Sequence, residues 1–104
     1  MKKIYHKLVR DKIPQIIEST GQSCKISILS NEEYLQKLDE KLTEELAEYQ
    51  ESKSLEELAD LLEVMEAVVK TRGYSWEQLC DLRDVKREKR GAFDDRILLE
   101  EVTE

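Results

Sequence analysis

The sequence predicts a mostly α-helical fold built around an antiparallel helical hairpin. Three observations predict it: serine-led capping signatures at Ser30, Ser54 and Ser75, apolar residues at helical spacing behind each, and a very short link between the first two helices. Ser30-Asn31-Glu32-Glu33 fits a capping box and opens a helix to about Glu51, with Leu35, Leu38, Leu42, Leu46 and Tyr49 at helical spacing. Ser54-Leu55-Glu56-Glu57 opens a second helix through Leu58, Leu61, Leu62, Met65 and Val69, stopped by Gly73. Ser75-Trp76-Glu77-Gln78 opens a third, which runs to about Arg90 and ends at Gly91. A connection of about three residues between the first two folds the second back along the first.

Ahead of the hairpin, Asp11 is placed to cap a short helix over Ile13, Ile16 and Ile17 that ends at Gly21. Residues 24–29 alternate, with Cys24, Ile26 and Ile28 on one side and Lys25 and Ser27 on the other, which is a strand signal. The apolar tail from Arg96 to Val102 is the segment available to pair with it, giving a short two-stranded β element. The 104 residues are enough for one small domain, 1–104. A domain this short buries a modest core, so self-association would add to its stability.

Hydrophobic and charged residues each make up 39%, a balance that suits amphipathic helices with solvated outer faces. The formal net charge of -7 argues against a nucleic-acid polymer as partner. No apolar run approaches the roughly 20 residues of a membrane span, and the basic start MKKIYHKLVRDK is followed by no apolar leader segment. Cys24 and Cys80 form no CxxC motif and read as reduced, partly buried thiols. The expected location is cytoplasmic, away from membranes.

The carboxylates carry the chemistry. Glu44-Glu45-x-x-Glu48 lies on the first long helix and Glu57-x-x-Asp60 on the second. On a wheel of about 100° per residue, Glu45 falls on the shoulder of the leucine stripe, with Glu48 roughly 60° further round and Glu44 beyond it. On the second helix the expected stripe is Leu58, Leu62, Met65 and Val69, with Glu57 at its edge and Asp60 roughly 60° outside it. Glu48 and Glu57 stand about one turn either side of the link, and Glu45 and Asp60 about 4.5 Å further out, so all four arrive at one level. Four carboxylates so close repel one another, and a divalent cation removes the conflict. Oxygen-only ligands favour Mg²⁺ or Mn²⁺ over zinc. A di-iron carboxylate bundle asks for Glu-x-x-His, and the single histidine, His6, lies outside the long helices.

The third long helix starts apolar with Trp76, Leu79 and Leu82 and continues on the same face as Arg83, Lys86, Lys89 and Arg90. These cations either reach the phosphates of a substrate or simply suit the negative end of their own helix. The basic run containing Lys7 and Arg10 either lines the pocket or pairs with surface acids. Tyr34, Tyr49 and Trp76 read as core residues, and His6 has no evident partner.

The two acidic motifs resemble the EExxE…ExxD signature of the all-α nucleoside triphosphate pyrophosphatases, the superfamily of MazG-like proteins and phosphoribosyl-ATP pyrophosphohydrolases. The opening Tyr5-His6-Lys7-Leu8-Val9-Arg10-Asp11-Lys12-Ile13-Pro14 and the late Lys89-Arg90-Gly91-Ala92-Phe93 resemble a small single-domain MazG-like branch. The resemblance implies Mg²⁺ held by Glu45, Glu48, Glu57 and Asp60, with Glu44 assisting, and phosphate contacts from Lys86 and Arg90. The expected reaction is hydrolysis of a nucleoside triphosphate to the monophosphate and pyrophosphate, with Glu44 or Glu45 activating water. A thin hairpin cannot enclose a nucleotide alone, so a homodimer or dimer of dimers is expected. The same residues leave two alternatives: a phosphoribosyl-ATP pyrophosphohydrolase of histidine biosynthesis, and a non-catalytic helical module that binds a partner through its leucine stripes. The link between the motifs is shorter than the superfamily's, and no asparagine follows the acidic helix to read sugar or base.

Overall fold

Short-range capping by serine decides where the three long helices of this chain begin. In a computed structural model describing residues 1–104, four helices follow in order: α1 (Ile13–Ser19), α2 (Asn31–Ser52), α3 (Leu55–Thr71) and α4 (Trp76–Arg90). Ser30 and Ser75 make full capping boxes: each hydroxyl accepts the N–H three residues on, and Glu33 or Gln78 accepts in return from the serine N–H. Ser54 makes only half a box. Its hydroxyl accepts from the Glu57 N–H, but the Glu57 side chain turns elsewhere. α1 differs from expectation at its start. Lys12, not Asp11, occupies the N-cap, no side chain caps it, and Pro14 in the first turn pre-sets the backbone.

The α2–α3 link is two residues, Lys53 and Ser54, and the pair makes the main helix–helix contact of the chain. Lys53 closes α2 in the left-handed conformation, φ 59°, with its N–H donating to the Tyr49 carbonyl. α4 packs against the end of α3 and does not touch α2.

The expected β element does not form. Residues 22–30 and 96–104 have no regular structure, and Ile26, Ile28 and Ile97 to Leu99 are exposed. An alternation of six residues holds no strand without a partner for its backbone groups, and these two segments share no backbone hydrogen bond. Cys24 is accordingly exposed rather than partly buried, while Cys80 is half-buried.

The inward face of α3 also differs from the expected stripe. Glu57, Asp60, Leu61, Val64 and Val68 are half-buried, as is Val69 of the expected stripe, whereas its Leu58, Leu62 and Met65 are exposed. α3 is apolar on two sides. The side that meets α2 carries the acids, and the other is left uncovered. Leu38, 3% exposed, is the one buried hydrophobic residue. The radius of gyration is 18.6 Å, against about 13 Å for a compact domain of this length. The chain exposes 9954 Å², where a compact monomer of its mass exposes about 6,100 Å².

Truncating Leu38 to alanine removes the best-buried apolar contact of the hairpin. The expected cost is about 2–5 kcal/mol, read from the urea midpoint followed by helical circular dichroism.

Candidate functional site

The site is assembled where α2 and α3 face each other near their link. Glu45, Glu57 and Asp60 each present a carboxylate oxygen, and these oxygens lie within 4.8 Å of one another. Glu45 is 6% exposed, while Glu57 and Asp60 are half-buried. Oε2 of Glu45 and Oε2 of Glu57 are both buried and accept no hydrogen bond. For Glu57 the half-made cap supplies the reason. Its carboxylate has left the helix N-terminus, where it could accept from Ser54, and points inward instead.

Three of the four expected metal ligands therefore converge. Glu48 is exposed and does not join the three, although its carboxylate lies against Glu45. A three-residue step turns a helix position by about 60°, which carries Glu48 off the inward face. Glu44 sits beside the cluster, paired at 3.4 Å with both Lys7 and Lys41.

Burial, then the neighbouring Glu48 carboxylate, pushes the Glu45 acid above the ordinary range, and Lys41 at 3.4 Å only partly offsets this. Like charges at such spacing repel by about 3–4 kcal/mol per pair at an effective dielectric of 20.

The positive charge near the cluster comes from the N-terminal segment and from α2, not from α4. Arg10 donates to Asp60 Oδ1 at 2.7 Å, and the fields of Asp60, Glu63 and Glu45 hold its guanidinium still more firmly protonated. The Arg10 and Asp60 side chains are 57% and 40% exposed; pairs of this kind stabilise a fold by about 0–1 kcal/mol. Lys7, Leu8, Val9, Arg10 and Ile13 form one wall of a cleft of about 260 Å³, and Lys41, Glu45, Asp60, Glu63 and Val64 form the other. Lys41 was not anticipated, although its spacing of three and four residues from Glu44 and Glu45 signals it. Lys86, Lys89 and Arg90 are not brought to the acids. They are exposed, make no ion pair, and ride on a helix that does not touch α2. His6 is exposed, with its backbone at φ 47° and its carbonyl accepting from Lys37 Nζ at 3.4 Å.

The donor set fits a hard cation. Oxygens opposite each other on octahedral magnesium are about 4.2 Å apart, so three groups within 4.8 Å need little movement to bind one. The two unpartnered buried oxygens are the acceptors that such an ion would satisfy.

No family model and no solved structure matches the chain. An uncharacterised protein of Mycolicibacterium smegmatis is 51% identical over 41 residues, covering 39% of this chain and 42% of that protein. The likeness thus spans less than half of either sequence and carries no functional assignment. No helix is long and apolar enough to cross a membrane.

A carboxyl whose folded pKa is raised favours folding below its unfolded pKa, and that contribution is lost as pH rises through the folded value. Without divalent metal, Glu45→Gln should therefore stabilise the protein at pH 7, and the gain should shrink as pH falls toward 4. Denaturant midpoints at the two pH values check this.

Proposed function

We propose that this chain is a Mg²⁺-dependent nucleotide pyrophosphohydrolase, converting a nucleoside triphosphate to the monophosphate and pyrophosphate. The observation that carries the reading is the trio Glu45, Glu57 and Asp60 with two buried oxygens that nothing satisfies. It agrees with the resemblance of the EExxE and ExxD motifs to the all-α nucleoside triphosphate pyrophosphatases. Bound at the trio, Mg²⁺ (or Mn²⁺) would supply phosphate binding and polarise the phosphorus under attack.

The protein side chains divide the remaining work. Glu45, Glu57 and Asp60 are the metal-holding acids. Glu48, lying against Glu45, is close enough to assist. Glu44 stands just outside the trio with Lys7 and Lys41 fixing its carboxylate, so it is the group best placed to orient water or take its proton. Glu45 is less suited to that role, because ligation requires it ionised and uses its oxygens.

The active form in this reading is a homo-oligomer. A cleft of about 260 Å³ is small for a nucleotide, since ligand pockets run from about 300 Å³ upward. The surface exposed beyond that of a compact monomer is about 3,900 Å², more than one partner's share of an ordinary obligate dimer interface. A second copy laid on Leu58, Leu62 and Met65 would cover the outer stripe of α3. It is also the route by which Lys86, Lys89 and Arg90 reach phosphate.

The uncovered stripe favours a second reading, a non-catalytic helical module whose partner sits on these leucines. Pyrophosphate release from a panel of nucleotides, titrated with Mg²⁺, separates the readings. Wild-type turnover should be metal-dependent and fall about 100-fold or more in Glu45→Ala and Glu57→Ala. No metal binding and no release would favour the interaction module, and release confined to phosphoribosyl-ATP would favour the histidine-biosynthesis enzyme. Analytical ultracentrifugation tests the assembly: wild type should sediment as a dimer or larger, and Leu62→Asp should sediment as the monomer.

A further inference from the structure

The N-terminal segment has no helix or strand over residues 1–10, yet it is tied to both arms of the hairpin. Lys37 Nζ on α2 donates to the His6 carbonyl at 3.4 Å, Lys7 pairs with Glu44 on α2 at 3.4 Å, and Arg10 reaches Asp60 on α3 at 2.7 Å. Between the two cations, Leu8 is half-buried, the one residue of the first twelve that is not exposed. The segment lies beside the acidic trio as a strap, with Arg10 on the trio's Asp60 and Lys7 on the neighbouring Glu44.

We infer that Arg10 and Lys7 are the site's phosphate-binding cations, held on Asp60 and Glu44 while no metal is bound and transferred to the substrate's phosphate oxygens once it is. The inference rests on the pyrophosphohydrolase reading and gives that site its anion-binding side. Asp60 is one of the three metal-holding acids, so Arg10 and a divalent ion compete for the same negative charge. The pair is about half exposed, so its exchange exposes little new surface. A bound metal repels the guanidinium, and a polyphosphate lying on that metal offers it a bidentate anionic partner a short distance away. Lys7 is also exposed, though less than Arg10, and shares Glu44 with Lys41, so Glu44 keeps a partner when Lys7 leaves. The strap needs only side-chain movement, because Leu8 and the His6 carbonyl remain anchored.

The competition predicts opposite signs for two affinities, which a merely structural Arg10 would not give. Calorimetry on the full chain, with MgCl₂ alone and then with inorganic triphosphate at saturating Mg²⁺, reads both. Arg10→Gln should bind Mg²⁺ about tenfold more tightly, the scale of removing one unit charge beside a divalent ion at a half-exposed site, and should bind triphosphate about tenfold more weakly. Lys7→Gln, at an exposed position with no demand from the fold, should show the same split with smaller amplitude. Circular dichroism confirms that each variant is folded. Wild type that binds Mg²⁺, with variants that bind it no more tightly or that keep full triphosphate affinity, overturns the strap and leaves the metal site standing. Wild type that binds no Mg²⁺ overturns both.

Discussion

Everything in this molecule turns on one carboxylate kept out of water. Glu45 is 6% exposed, and one of its oxygens accepts nothing from the protein. An unsatisfied buried polar group costs on the order of 1–3 kcal/mol, and more when charged. Glu57 compounds the cost by leaving the helix N-terminus, where its carboxylate would be favoured. Two acids placed against their local interest on facing helices make sense together if a shared cation is their partner. Lys41, Lys7 and Arg10 moderate the repulsion from the outside but leave the inward oxygens of Glu45 and Glu57 unmet.

The same hairpin explains why so little else is buried. α2 and α3 have only each other, and a two-helix layer shelters one line of side chains, of which Leu38 is the best covered. α3 is apolar on a second side, and α4 turns away without covering it. The shape is extended, 63 × 31 × 24 Å, and leaves much apolar surface uncovered. The uncovered face, Leu58, Leu62 and Met65, lies on the side of α3 away from the cleft.

What the sequence made legible followed from short-range rules. The capping boxes at Ser30 and Ser75 are four-residue motifs, and their helices begin where the motifs place them. The meeting of Glu45, Glu57 and Asp60 was legible because a two-residue link and a fixed rise per residue set axial heights. Lys41 was legible in principle, being one turn from its partners. The contact of Arg10 with Asp60 was not, because it joins residues fifty positions apart and no local rule couples them. The choice of inward face on α3 was not legible either, since two overlapping apolar stripes compete and tertiary packing decides. The alternation in residues 24–29 misled for a related reason: a strand exists only with its neighbour, and the tail makes no backbone hydrogen bond to it.

The central claim is that Glu45, Glu57 and Asp60 together hold one divalent cation. Electron paramagnetic resonance of Mn²⁺ titrated into the wild-type protein tests it without any assumption about substrate. The account predicts that the aqueous Mn²⁺ signal is lost until one ion per chain is bound, and that it persists throughout the titration of Glu57→Ala. An undiminished aqueous signal with the wild-type protein, or equal binding by the variant, would contradict it.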